Sequence, residues 1–253
     1  MIPEIKRLVR HGLNHIGYDM VRLRPKQNPH VNFTNIGKDP FVDMKRFLPG
    51  RSRPIFFDVG ANKGQSIRNF RNQFPECTVH SFEPSPATYE QLKNSVQTGD
   101  GVSIWNYGLG SVSGKMKLLE NSSSDMTSFL PLGEAGWGKI VNETWVTVKT
   151  VDQFCRDNKI QRIDVLKSDT QGFDLEVLKG ADKMISEERI GLLYFEITFA
   201  KLYENMPLLS DIFEFLESRD FHLVSFYRFF YRTQLASWTD ALFVHKSNLH
   251  TDV

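Results

Sequence analysis

The chain has 253 residues, 40% of them hydrophobic and 24% charged, and its 31 basic and 30 acidic side chains leave a formal net charge of +1. This is the make-up of a globular protein with one large domain, or one domain and an appendage, and it excludes collagen-like, low-complexity and charge-driven disordered chains. The even charge balance lacks the basic excess that nucleic-acid phosphates attract, so no nucleic-acid partner is expected. Two cysteines, Cys77 and Cys155, are too few for a disulfide scaffold or a zinc site and read as small buried side chains of a reducing compartment. No stretch approaches the roughly 20 consecutive apolar residues of a membrane-spanning helix. The first residues lack the apolar run and cleavage site of a secretory signal, so a cytoplasmic location is expected.

In residues 1–24, Ile5, Leu8, Val9, Leu13, Ile16 and Met20 follow helical spacing, with Lys6, Arg7 and Arg10 mostly off the apolar face. Such a helix is expected to pack on its own domain or on a second copy as a homodimer contact, rather than on a membrane surface. Residues 25–54 carry Pro25, Pro29, Pro40, Pro49, Gly50 and Pro54, which predicts an irregular wrapping segment. Residues 1–54 are thus expected to precede a main domain over 55–253.

From Ile55 strands and helices alternate. Ile55–Val59 is a continuous apolar run suited to a strand buried on both faces, followed by a glycine turn and a helix over 65–74. Strands are predicted at 78–83 and 102–107, with a helix over 86–96 between them. Residues 108–150, rich in Gly and Ser, form an excursion with short strands at 115–119 and 145–149. A strand over 163–169, a helix over 174–179, a strand over 192–196 and a helix over 208–218 resume the alternation. Strands at 221–226 and 241–245 close the chain as a hairpin. Crossover helices imply parallel strands, and the hairpin adds one antiparallel strand. The expected fold is α/β: a seven-stranded, Rossmann-like sheet of the class I methyltransferase kind, mostly parallel, with helices on both faces.

The chemistry gathers where the strands end. Asp58, Gly60, Asn62 and Gly64 lie on a strand–turn–helix, the place where an open parallel sheet binds ligands. The dinucleotide spacing Gly-x-Gly-x-x-Gly is missing, and Asp58 would repel a pyrophosphate but suit a ligand bearing an ammonium group. Glu83 ends the second strand about 25 residues later, near the ~20-residue offset of a ribose-binding carboxylate. Asn106, Gly108 and Gly110 end the third strand, at the edge of an adenine pocket or in an ordinary loop. Asp169 and Glu196 end the next two strands on the same rim. They can serve as a general base, as ligands to a divalent metal such as magnesium, or as carboxylates held by backbone hydrogen bonds.

Taken together, Asp58-Val-Gly-Ala-Asn-Lys-Gly, Phe82-Glu83-Pro84, Asn106-Tyr-Gly-Leu-Gly, Thr150-Val-Asp and the run from Lys167 to Ala181 resemble the FkbM family of methyltransferases, as does the strand carrying Glu196. The resemblance spans roughly residues 55–245. It implies an S-adenosylmethionine (SAM)-dependent O-methyltransferase acting on a sugar, glycan or secondary-metabolite hydroxyl. It places Asp58, Gly60, Asn62 and Gly64 at the methionine half of SAM and Glu83 at the ribose, with Ala61, Ser66 and Pro84 also counted in the cofactor site. Ser124, Asp125 and Met126 fall near the adenine, Asn106 and Gly108 are counted among the cofactor contacts, and Asp169 joins the cofactor site while sharing the catalytic role with Glu196. Where the family reads Lys-Ile-Asp-Val-Glu-Gly, this chain has Gln171 in place of the glutamate, which weakens a metal proposal. The rival readings are a SAM-binding assembly protein without catalysis and an NAD-dependent oxidoreductase. For the acceptor, Trp137, Trp145, Tyr203, Phe229, Phe230, Tyr231 and Trp238 are candidate sugar-stacking rings, with Arg228 and Arg232 as partners for an anionic group.

Overall fold

A computed structural model of the protein describes residues 35–249. The helix expected over residues 1–24 lies outside the described residues. The first described element corrects the reading of 25–54 as irregular: helix α1 spans Pro40–Phe47. Pro40 starts this helix instead of breaking it, because the first turn needs no N–H from it. The Asp39 carboxylate caps the turn, accepting from the backbone N–H of Phe41 at 2.8 Å and of Val42 at 3.3 Å. Asp43, fully buried, accepts hydrogen bonds from the Tyr227 hydroxyl at 3.0 Å and the Gly37 N–H at 2.7 Å, which pins α1 to the body.

The main chain order then runs β1 (Ile55–Val59), α2 (Gln65–Gln73), β2 (Thr78–Phe82), α3 (Pro86–Ser95) and β3 (Val102–Trp105). The excursion follows: β4 (Gly108–Leu109), β5 (Gly114–Asn121) and β6 (Ile140–Lys149) pair as a separate three-stranded sheet in the order β4-β6-β5. Helix α4 (Val151–Asp157), strand β7 (Ile163–Ser168), helices α5 (Asp174–Lys179) and α6 (Asp182–Ser186), strand β8 (Ile190–Thr198) and helix α7 (Leu209–Glu217) come next. Strands β9 (Phe221–Arg232) and β10 (Leu235–His245) complete the seven-stranded sheet.

That sheet has the order β3-β2-β1-β7-β8-β10-β9. β10 runs antiparallel to both neighbours and the other strands are mutually parallel. This is the class I methyltransferase architecture expected from the sequence. The chain winds outward from β1 to β3, returns, and winds the other way from β7, so β1 and β7 flank the topological switch point where open α/β sheets bind ligands.

Successive residues of β1 face opposite layers, which is why its run is apolar but for the buried Asp58. Phe57 packs with Phe82 and Phe154 in the core under α4 to α7, while Phe56 joins Phe70, Met44 and Leu92 under α1 to α3. A small third cluster of Met126, Leu202 and Tyr203 sits between the excursion and the segment after β8. Both cysteines are buried free thiols. No helix among the described residues is long and apolar enough to cross a membrane.

Helices α4 and α6 escaped the sequence reading, and the terminal hairpin was read too short. Helix α4 is only seven residues long, and its start is the Thr150 hydroxyl accepting from Gln153 N–H at 3.0 Å. The terminal hairpin is far longer than expected, and Phe226 to Trp238 is not a loop but strand up to Arg232 and again from Leu235. Register shifts between Ala236 and Trp238, Thr239 and Ala241, and Leu242 and Phe243 break the alternation that would have marked it.

Candidate active site

A pocket opens at the carboxyl ends of β1, β2 and β7, closed on its far side by the excursion. Its residues follow from the strand ends. Gly60, just past β1, has φ +78, and a Cβ there would lie 2.0 Å from the Asp169 main-chain oxygen, so only glycine lets the two loops meet at the switch point. Asn62 follows with φ +47 and turns its backbone N–H onto Glu83 Oε2 at 3.0 Å. Glu83 Oε1 accepts from the Ser85 N–H at 2.9 Å. Burial pushes the Glu83 carboxyl up to about 7 although these two N–H groups pull the other way. Each oxygen keeps a lone pair for a ligand hydroxyl. The Asn62 side-chain Oδ1 is buried and has no hydrogen-bond partner among the described residues, so a donor from a ligand would satisfy it.

At the far end, Leu109, Leu118 and Phe129 line an apolar stretch with Ser124 and Asp125 beside it. Gly108 leaves room for Phe129, whose ring a Cβ would approach to 3.0 Å. At the near end stand Asp169, Thr170 and Gln171.

The remaining predicted residues sit behind this lining. Asn106 donates to the main-chain oxygens of Glu83 and Pro84 at 2.9 and 3.3 Å, fixing the loop that presents Glu83. Gly64 serves packing: a Cβ would strike Val96 and Leu92 of the α3 layer at 2.5 and 3.1 Å. Ala61 and Met126 are buried, Ser66 is half-buried on α2, and none of the three lines the pocket. Asp58 is fully buried, and the ammonium it meets is the chain's own: Lys167 Nζ lies 3.0 Å from Asp58 Oδ1 and 3.6 Å from Asp169 Oδ2. Burial disfavours the Lys167 charge, but Asp58 and Asp169 outweigh that and raise its pKa above the ordinary lysine value.

The FkbM methyltransferase domain matches residues 58–223, well over half of the chain. The chain belongs to the FkbM methyltransferase family. Among similar proteins, 2-O-methyltransferase NoeI of Sinorhizobium fredii is 22% identical over 183 residues, covering 68% of this chain and 74% of that protein. Hexuronic acid methyltransferase AglP of Haloferax volcanii is 27% identical over 177 residues, covering 66% and 68%. Among solved structures, magnesium protoporphyrin IX methyltransferase of Synechocystis PCC 6803 matches with TM-score 0.47 and 10% identity over 82% of this chain and 78% of that one, a likeness too loose to carry an argument.

In this FkbM-family chain, Glu196 stands beside the pocket, one strand over from Asp169: Ser168 and Phe195 are register partners, so the next residues of the parallel pair are neighbours. Asp240, on the antiparallel neighbour β10, is the register partner of Glu196. Burial first, and then the charges of Asp169, Asp174 and Asp240, push the Glu196 carboxyl well above its ordinary value. Burial also raises Asp240 and Asp174, the latter accepting from the Ser168 hydroxyl at 2.5 Å and Thr170 Oγ1 at 2.9 Å. Among the described residues no group of three or more His, Cys, Asp or Glu side chains is arranged to hold a metal ion.

Lys167 and Asp240 were missed from sequence. The signal for the first was a lysine within the strand Ile163 to Ser168, next to the apolar pair Val165 and Leu166; no pattern marked the second. The proposed stacking rings are mostly engaged elsewhere. Arg228 lies 4.8 Å over Phe230, Phe230 stacks on Trp238 at 4.9 Å, Trp238 meets Trp137 at 5.8 Å, and Arg232 lies 5.0 Å over Trp137. This ladder ties the hairpin to the excursion. Tyr203 is buried, whereas Trp145, Phe229 and Tyr231 are exposed.

Proposed function

We propose that the chain is a SAM-dependent O-methyltransferase whose acceptor is a hydroxyl of a sugar or a related small metabolite. The observation that carries the reading is the pocket itself. It combines a carboxylate with spare acceptor capacity on β2, an unpartnered Asn62 oxygen on the β1 turn, and an apolar slot ending at Ser124 and Asp125. Those three stations suit a ribose diol, an amino-acid ammonium and an adenine. SAM, when bound, supplies a methyl group already activated on a sulfonium.

What remains for the protein is alignment, exclusion of water and removal of one proton. Glu83 holds the ribose hydroxyls, Asn62 accepts from the ammonium, and Phe129 with Leu118 encloses the base. Asp169 lies at the mouth, where its carboxylate meets the amino-acid end or the acceptor. Glu196, whose proton affinity is raised, takes the proton from the attacking hydroxyl. Lys167 offsets the carboxylates around it. NoeI and AglP, named for methylation of a 2-hydroxyl and of a hexuronic acid, support the choice of acceptor class.

The test is calorimetric titration with S-adenosylhomocysteine, with NADH as control, followed by transfer of labelled methyl from SAM to a panel of neutral and acidic saccharides. Micromolar binding of the first, abolished in Glu83→Ala, is expected. Absence of binding, or preference for NADH, would overturn the reading.

A further inference from the structure

The turn after β7 holds a hydrogen-bond relay that the scheme above does not use. Gln171 Nε2 donates to Asp169 Oδ1 at 2.8 Å, and Gln171 Oε1 accepts from the Tyr203 hydroxyl at 2.7 Å. The direction of the amide follows from its partners. A carboxylate only accepts, so the NH2 side must face Asp169, and the phenol must then donate to the oxygen. Burial, and after it the charges of Glu196 and Asp169, raises the Tyr203 pKa well above its ordinary value, so the phenol keeps the proton it donates.

The backbone at this point is held against its preference. Gln171 has φ +56 and Gly172 φ +86. A left-handed non-glycine residue is strained and persists only where its surroundings fix it. Here they do. The Ser128 hydroxyl donates to the Gln171 main-chain oxygen at 2.7 Å, and the Tyr203 ring lies so near Gly172 that a Cβ there would come within 3.0 Å. The β7 turn, the excursion and the segment after β8 all converge on one glutamine.

We propose that Gln171 is a positioning residue for Asp169: backed by Tyr203, its amide fixes one carboxylate oxygen in place and so aims the other, which Lys167 faces at 3.6 Å, at the ligand. This rests on the reading of Asp169 as a ligand contact. An amide can take a hydrogen from Tyr203 and give one to Asp169 at the same time. A carboxylate in its place would set two negative groups at hydrogen-bonding distance, and one of them would retain a proton or recruit a cation.

Two measurements test it. In calorimetry with S-adenosylhomocysteine, Gln171→Met weakens binding about tenfold in the wild-type background and less than twofold in an Asp169→Asn background, and Tyr203→Phe gives part of the same loss. Without ligand, the thermal midpoint of Gln171→Glu falls further below wild type as pH rises from 5 to 8. The folded pair holds a proton that the unfolded chain gives up, and its stability therefore declines with pH. Equal losses from Gln171→Met with and without Asp169, or a Gln171→Glu midpoint that tracks wild type across pH, would overturn the proposal alone. If Asp169→Asn bound S-adenosylhomocysteine as tightly as wild type, the contact of Asp169 with the amino-acid end of the cofactor would fall, and the proposal with it.

Discussion

Replacing Lys167 with methionine leaves Asp58 fully buried with only the Ser81 hydroxyl, 3.3 Å away, as a side-chain partner. At the observed 3.0 Å, and with an effective dielectric of about 20, the pair attracts by about 5 kcal/mol. Removing one partner from a buried pair typically costs about 3–5 kcal/mol, because the other charge is stranded. Asp58→Asn should cost less, since Asp169, 3.6 Å from the ammonium, remains to face Lys167. The double variant strands neither charge, and its loss should be smaller than the sum of the single losses by about 2 kcal/mol or more. Urea unfolding of the four proteins at pH 7 measures the cycle, with S-adenosylhomocysteine titration alongside. Lys167→Met within 1 kcal/mol of wild type, or strict additivity, would refute the argument. If Asp58→Asn destroyed ligand binding while barely changing stability, Asp58 would be serving a ligand ammonium and not Lys167.

Three further outcomes follow from the same geometry. The Glu83 carboxyl stands at about 7 against an ordinary 4.5, so between those values the folded protein binds more protons and loses roughly 3 kcal/mol of stability as pH rises. Glu83→Gln should lack that slope in urea midpoints taken from pH 4.5 to 8, and matching slopes would contradict the burial argument. Glu196→Gln should lower the methyl-transfer rate by about 10²–10⁴ with cofactor affinity nearly unchanged, and the wild-type rate should climb with pH as the raised Glu196 carboxyl ionises. An unimpaired variant would remove Glu196 from the proton transfer. Gly60→Ala should destabilise by at least about 2 kcal/mol and abolish cofactor binding. Gly50→Ala, with φ +72 but open space around it, should cost only about 1 kcal/mol; equal melting-point losses would show that Asp169 is not what constrains position 60.

Much of the frame was legible because it rests on local patterns. Ile55–Val59 reads as a two-sided buried strand, and Glu83 falls at a strand end by spacing alone. The terminal hairpin was visible only in part, since three register shifts scramble the alternation that reveals a strand. Pro40 misled because a proline reads as a breaker unless the aspartate before it is weighed as a cap. Side-chain partners were the least accessible level. Asp58 was read as meeting a ligand's ammonium group, whereas the ammonium beside it is that of Lys167, from a strand over a hundred residues away. Gln171 stood out as a departure from the family pattern, yet its role depends on Tyr203, a residue whose sequence neighbourhood says nothing about a shared hydrogen bond. Spacing reports which strand ends share a rim; it does not report which side chains neutralise one another there.

The three clusters of buried side chains have a kinetic consequence. The floor of the pocket belongs to the sheet, whose strands β1, β2 and β7 are sealed between two large cores, whereas part of its roof rests on the small cluster of Met126, Leu202 and Tyr203. Segments with few buried neighbours open locally without global unfolding. Amide hydrogens over residues 123–135 should therefore exchange with solvent through a low-energy breathing motion, while those of the central strands wait for the whole domain to unfold. Such a motion would widen the pocket from above and leave the sheet beneath undisturbed.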